Sequence, residues 1–160
     1  MFKVSFKETP KSPSKLITKS GAVTNCTLMG SVSLPEFFDY LPPHINEWIS
    51  KTEYVDIFED IVNRKMIIFS SGISKCSPND RYDTILGERI AESRAKYRIY
   101  KFFYNLTKKV VNYYYELMFG MHNVSNYKDG SLASDYFKYE KLMKREEKHL
   151  EELINGKKDE

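Results

Sequence analysis

The residues best suited to chemistry lie between Phe69 and Arg98. Cys76–Asp83, CSPNDRYD, is dense in turn formers. Ser77, Asn79 and Asp80 can bond to neighbouring backbone amides, and Pro78 fixes its own φ. Asp83 or Thr84 then caps a helix. A helix start carries free N–H groups and a partial positive charge, which favours anions. Arg89, Arg94 and Arg98 follow on that helix, and a planar guanidinium makes paired, charge-assisted bonds to phosphate. Phe69 and Tyr82 flank the turn and are of a type that stacks on a base or ribose. Phe69, Ser77, Asn79, Tyr82, Arg89, Arg94 and Arg98 therefore form a candidate site for a phosphorylated, nucleotide-like ligand. On this reading, Arg94→Glu or Arg98→Glu costs about 2 kcal/mol of binding or more and spares the fold. The plainer reading is that Asp80 and Asp83 cap the turn and helix while the Arg side chains sit in solvent.

Signals for catalysis are weak. His44, His122 and His149 have no ligand spacing with Cys, Asp or Glu, so no zinc site is expected. There is no P-loop and no GxGxxG, and no Ser-His-Asp arrangement can be recognised. Glu88 and Glu92, four apart, read as surface residues. The expectation is a binding protein without enzymatic activity, cofactor or metal.

The elements that position the candidate site follow from periodicity. Residues 7–20 read as a basic, poorly ordered lead-in. Residues 22–33 read as a strand, with Gly21 and Gly30 marking turns or a bulge. Residues 44–62 have apolar spacings near three and four, which favours a helix; a strand over Glu53–Val62, turning through Asn63-Arg64, is the rival. Residues 65–75 read as a strong strand in which Gly72 signals a bulge or a close backbone approach. A long helix runs from Asp83 or Thr84 to Gly120, and a last helix spans Leu132–Asn155, stopped by Gly156. Gly87, Ala91 and Ala95 form a small-residue stripe on the long helix, beside Arg94, Arg98 and Lys101. Its second half is apolar nearly all round, which implies burial on more than one side and suggests a homo-oligomer interface through residues 99–118. A central helix wrapped by its own chain is the alternative.

The fold class expected is α+β: a small antiparallel sheet packed on a long central helix, with a further C-terminal helix. The domain plan is a lead-in at 1–20, a core at 21–120, and a loop and helix at 121–160. No stretch is long and apolar enough to cross a membrane, and the N-terminus lacks a signal-peptide core, so the cytoplasm is the expected compartment. Cys26 and Cys76 are expected to be free thiols there, and the sequons at Asn25, Asn105 and Asn123 to be chance matches. A net charge of +3 is too small by itself to identify a nucleic-acid binder.

The stretch Gly72–Ala95, GISKCSPNDRYDTILGERIAESRA, resembles a cassette of small bacteriophage proteins. Gly72, Lys75, Cys76, Pro78, Asp80, Tyr82, Asp83, Gly87, Ile90, Ala91, Arg94 and Ala95 carry the resemblance. Among such proteins the chain looks most like the Thoeris anti-defence sponges, which assemble as oligomers and sequester cyclic ADP-ribose-type immune signals without cleaving them. The resemblance implies a phage protein acting in the host bacterial cytoplasm, with Phe69, Asn79, Arg94 and Arg98 supplying the pocket chemistry. Two other functions fit the residues. One is a protein-binding inhibitor or adaptor, suggested by the abundance of Tyr and the charged C-terminal helix. The other is a nucleic-acid-binding accessory protein using Lys101, Lys108 and Lys109 with nearby aromatics.

Overall fold

Strict alternation builds the two long strands. In the computed structural model, which describes residues 4, 6, 15–34, 36–60, 62–76, 83–119 and 131–156, β2 spans Val23–Ser33 and β4 spans Lys65–Lys75. Thr24, Cys26, Leu28 and Val32 of β2 are buried, as are Met66, Ile68, Ser70 and Ser74 of β4. These residues share one sheet face, because successive side chains of a strand point to opposite sides. The two strands pair antiparallel without interruption from Val23↔Lys75 to Ser33↔Lys65, so Gly30 sits in regular pairing rather than a bulge.

Two elements differ from the expectations. Lys15–Ser20 is a strand, β1, paired antiparallel with β2 across a turn in which Gly21 has φ +57. Only Ile17 among its six residues is even half-buried, so β1 carries almost no hydrophobic signature and resembles a lead-in. Residues 44–62 are divided between the two rival readings. Pro43–Ser50 is a helix, α1, and Asp56–Asp60 is a strand, β3, antiparallel to β4. Asn63 N donates to Asp60 Oδ1 at 3.1 Å and Arg64 takes φ 47, which closes the turn between β3 and β4. The sheet order is β1-β2-β4-β3.

The long helix, α2, covers Thr84–Phe119, and a last helix, α3, covers Ser131–Asn155. Asp83 caps α2 by accepting a hydrogen bond from Leu86 N at 3.0 Å. The small stripe of α2 faces the sheet. A Cβ on Gly72 would meet the Ala91 carbonyl oxygen and lie 2.6 Å from Ala95 N, so the helix backbone rests directly on β4. Ser74 Oγ donates to Gly87 O at 2.8 Å in the same seam. Further along α2 the contacts are made by large side chains: Ile99, Phe102, Phe103, Leu106 and Val110 are fully buried. The space between helix and sheet thus widens from glycine and alanine at one end to phenylalanine and leucine at the other.

The second half of α2 is covered from within the chain. Trp48 of α1 stacks on Phe102 with ring centroids 5.5 Å apart, and Tyr139 and Tyr136 of α3 stack on Phe103 and Tyr104 at 5.1 Å each. Val4 and Phe6 also pack against this core. The reason for expecting a subunit interface at 99–118 was the difficulty of covering such a helix in a small domain, and α1, α3 and the sheet remove that difficulty. Residues 121–130, expected as a loop, lie outside the described residues. Among the described residues, no helix is long and apolar enough to cross a membrane.

Candidate functional site: a cationic stripe on the long helix

The site begins where β4 outruns its neighbour. β3 pairs only with residues 65–69 of β4, so among the described residues no strand pairs with 70–75 on that flank. Backbone groups of even-numbered residues face β2, as the bonds from Cys76 N to Ala22 O and from Leu34 N to Arg64 O indicate. Odd-numbered carbonyls therefore point to the free flank. Arg94 Nη1 donates to Ile73 O, and Arg98 Nη1 donates to Ser71 O at 2.6 Å. The two guanidinium groups cover an exposed strand edge, which would otherwise template pairing with another chain. Each guanidinium has five N–H donors, so one such bond leaves most of its capacity unused.

The same face of α2 continues with lysines set over aromatic rings. Lys101 Nζ lies 5.8 Å from the Tyr54 ring centroid and 5.9 Å from that of Tyr97. Lys108 lies 5.8 Å from Tyr104, and Lys109 lies 5.3 Å from Trp48. Asn105, between them, donates to the Tyr54 hydroxyl at 3.3 Å. Burial raises the pKa of the Tyr54 hydroxyl, against a lowering by Asn105, and raises that of Tyr97, so both rings stay neutral beneath the cations. From Arg94 to Lys109 the stripe runs about 22 Å at roughly 1.5 Å per residue.

Charge is segregated across α2. Glu88 and Glu92 face β1, where Lys19 and Lys15 meet them at 2.5 Å and 3.1 Å, with Lys96 also on Glu92 at 2.7 Å. By contrast, among the described residues no carboxylate lies within 4.0 Å of Arg94, Arg98, Lys101, Lys108 or Lys109. Five neighbouring cations without counter-ions form a surface that attracts polyanions. The aromatic rings beside them supply flat faces of the kind on which bases stack. Among the described residues, no group of His, Cys, Asp and Glu is placed to hold a metal ion.

The residues named from the sequence do not all meet here. Arg94 and Arg98 do. Arg89 is exposed but stands about 140° around the helix from Arg94, at roughly 100° per residue. Phe69 alternates with the buried residues of β4, so it occupies the sheet face turned away from α2, edge-on to Phe58 with centroids 5.7 Å apart. Ser77, Asn79 and Tyr82 lie outside the described residues. The helix start itself is a poorer anion site than expected, because the Asp83 carboxylate takes one of its free N–H groups and adds negative charge there. The spacing of Arg94, Arg98, Lys101 and Lys108 was visible in the sequence. Trp48 and Tyr54 join the stripe only through the fold, and no local pattern announces them.

Comparison of the chain with protein-family models, curated proteins and solved structures gives no match.

Proposed function

We propose that this protein binds ligands carrying nucleotide phosphates, without transforming them, along the cationic stripe of α2. The observation that carries the reading is the row of five cations without carboxylate partners among the described residues, three of them set over aromatic rings. Phosphate oxygens would meet charge-assisted donors there, and a base would find a ring edge or face within reach.

The sponge reading makes the ligand a cyclic ADP-ribose-type immune signal and the protein a phage counter-defence. Its support is the Gly72–Ala95 resemblance. In the fold, four residues of that cassette, Gly72, Gly87, Ala91 and Ala95, form the seam between β4 and α2, so the resemblance bears on packing before it bears on ligand. A second reading is favoured by the shape of the stripe. It is open and about 22 Å long, which suits several phosphates of one nucleic-acid strand better than a small enclosed molecule.

Calorimetry against cyclic ADP-ribose isomers and against a short single-stranded oligonucleotide tests both. Micromolar or tighter binding of one of these is expected, weakening steeply with salt, with the ligand recovered intact after heat denaturation. Absence of binding to all of them at micromolar protein would overturn the proposal.

A further inference from the structure

The sheet ends at β3, and that edge is built differently from the flank of β4 beside it. Asp56, Phe58 and Asp60 lie opposite Phe69, Ile67 and Lys65, whose odd-numbered backbone groups face β3. Those three residues therefore bond inward, and Ile57 and Glu59 turn their N–H and C=O groups outward. Among the described residues no backbone group bonds them there. A groove of about 660 Å³ runs along this edge. Five consecutive residues, Val55–Glu59, make one wall, as expected where the backbone edge itself is the lining. Phe38, Ile49 and Val55, each less than a tenth exposed, give the groove an apolar floor.

The rim is acidic. Asp39, Asp56 and Glu59 stand around the groove. Asp39 is held by Arg64 at 2.9 Å, whereas Asp56 and Glu59 have no cation within 4.0 Å among the described residues. This charge is opposite in sign to that of the α2 stripe, so the two surfaces select different partners.

We infer that the β3 edge accepts an extended basic peptide segment of a partner protein as a fifth strand. Main-chain bonds to Ile57 and Glu59 give the segment its grip, an apolar side chain on the face shared with Ile57 and Glu59 enters the floor, and Lys or Arg at alternate positions turn to the opposite face, where Asp56 lies, while Glu59 adds negative charge at the rim. Strand addition works in this way wherever an open edge adjoins a side-chain pocket. The inference is independent of the ligand proposed for the stripe.

The probe is a terminally blocked Lys-Val-Lys-Val-Lys peptide, titrated into the full chain by amide-resolved NMR, with a Glu-Val counterpart as control. Saturable shifts centred on Ile57 and Glu59 are expected with the Lys peptide alone. E59P removes an outward N–H but no β3–β4 bond, and Pro is tolerated on an edge strand. It should weaken binding about tenfold, which corresponds to roughly one backbone hydrogen bond. The D56K/E59K variant should reject the Lys peptide and accept the Glu peptide. A Lys peptide N-methylated at alternate residues should fail to bind the unaltered protein, a result that does not depend on any variant folding. Three outcomes would overturn the inference: no saturable shift at β3 up to millimolar peptide; N-methylated peptide and E59P binding as tightly as the originals; or a concentration-dependent dimer, broken by E59P without peptide, which would assign the edge to a second copy.

Discussion

Arg94 and Arg98 hold a strand edge besides belonging to the proposed site, and their hold on the strand was not visible in the sequence. A four-residue spacing on a helix says that two guanidinium groups are neighbours; it does not say that a strand edge ends beneath them. Because each donates to a β4 carbonyl, removing either leaves an edge carbonyl without its partner. Arg94→Ala and Arg98→Ala should each lower stability by about 1 kcal/mol, the ordinary net value of such a bond at a partly solvated site. This replaces the expectation that the fold would be indifferent to both residues. Urea denaturation decides it, and unchanged midpoints in both variants would contradict the geometry. Gly72 is a harder constraint. Gly72→Ala drives a methyl group into the backbone of α2 at Ala91 and Ala95. Backbone cannot rotate aside as a side chain can, so a loss of about 3 kcal/mol or more is expected. Ser70 makes the opposite case. It is 3% exposed and its Oγ has no hydrogen-bond partner among the described residues, so Ser70→Ala should be neutral or raise stability by up to about 1 kcal/mol, measurable in the same denaturation series.

Among the elements, legibility tracked burial. α2 was readable because a turn-rich segment precedes it, Asp83 caps it, and a small-residue stripe and an apolar stretch mark its faces. β2 and β4 were readable because half their residues are buried in strict alternation. β1 was not readable, because an edge strand held mainly by its backbone and by two lysines leaves no apolar periodicity. The 44–62 stretch misled for another reason. Trp48 and Ile49 belong to α1, Tyr54 and Ile57 to the approach and body of β3, and their combined spacing imitates one helix. The tie between β1 and α2 predicts a pH dependence. Burial raises the pKa of the Glu92 carboxyl, but the Lys96 and Lys15 donors outweigh it and hold the carboxyl below 4.5. The hydrogen bond and charge of Glu92 hold Lys15 above 10.5. A depressed acid stabilises the fold above its unfolded value and loses that contribution as pH falls through the folded value. A raised lysine stabilises it below its unfolded value and loses the contribution as pH rises through the folded one. The cluster therefore contributes across neutral pH, about 1 kcal/mol for so partly exposed a group. Glu92→Gln should lower the melting temperature at neutral pH and leave it nearly level with the parent under strongly acid conditions. A constant difference at every pH would refute the assignment.

At the scale of the molecule, α2 packs against β2, β4, α1 and α3, and β1 reaches it through Lys15 and Lys19. The sheet lies on one side of it, α1 and α3 cover further faces, and the strip left to solvent carries the five cations that have no carboxylate partner among the described residues. The opposite sheet face is uncovered by any described helix and exposes Leu16, Phe58 and Ile73. The candidate site was half legible. Arg and Lys at helical spacing are a sequence pattern, but the rings of Trp48 and Tyr54 arrive from α1 and from the segment before β3, which only the tertiary fold brings to the stripe. The lysines give the cleanest handle on function, because they touch rings and solvent, whereas the arginines also hold the strand edge. Lys101→Glu/Lys108→Glu should leave the melting temperature within a few degrees of the parent, since each change removes only an exposed cation–π contact of about 0.5–1 kcal/mol. The most direct measurement is the affinity of this double variant, beside the unaltered protein, for the nucleotide ligand or oligonucleotide that the unaltered protein binds. A loss of at least about tenfold in affinity and a shallower dependence on salt are expected. A folded double variant with undiminished affinity and the same salt dependence would contradict the proposed site.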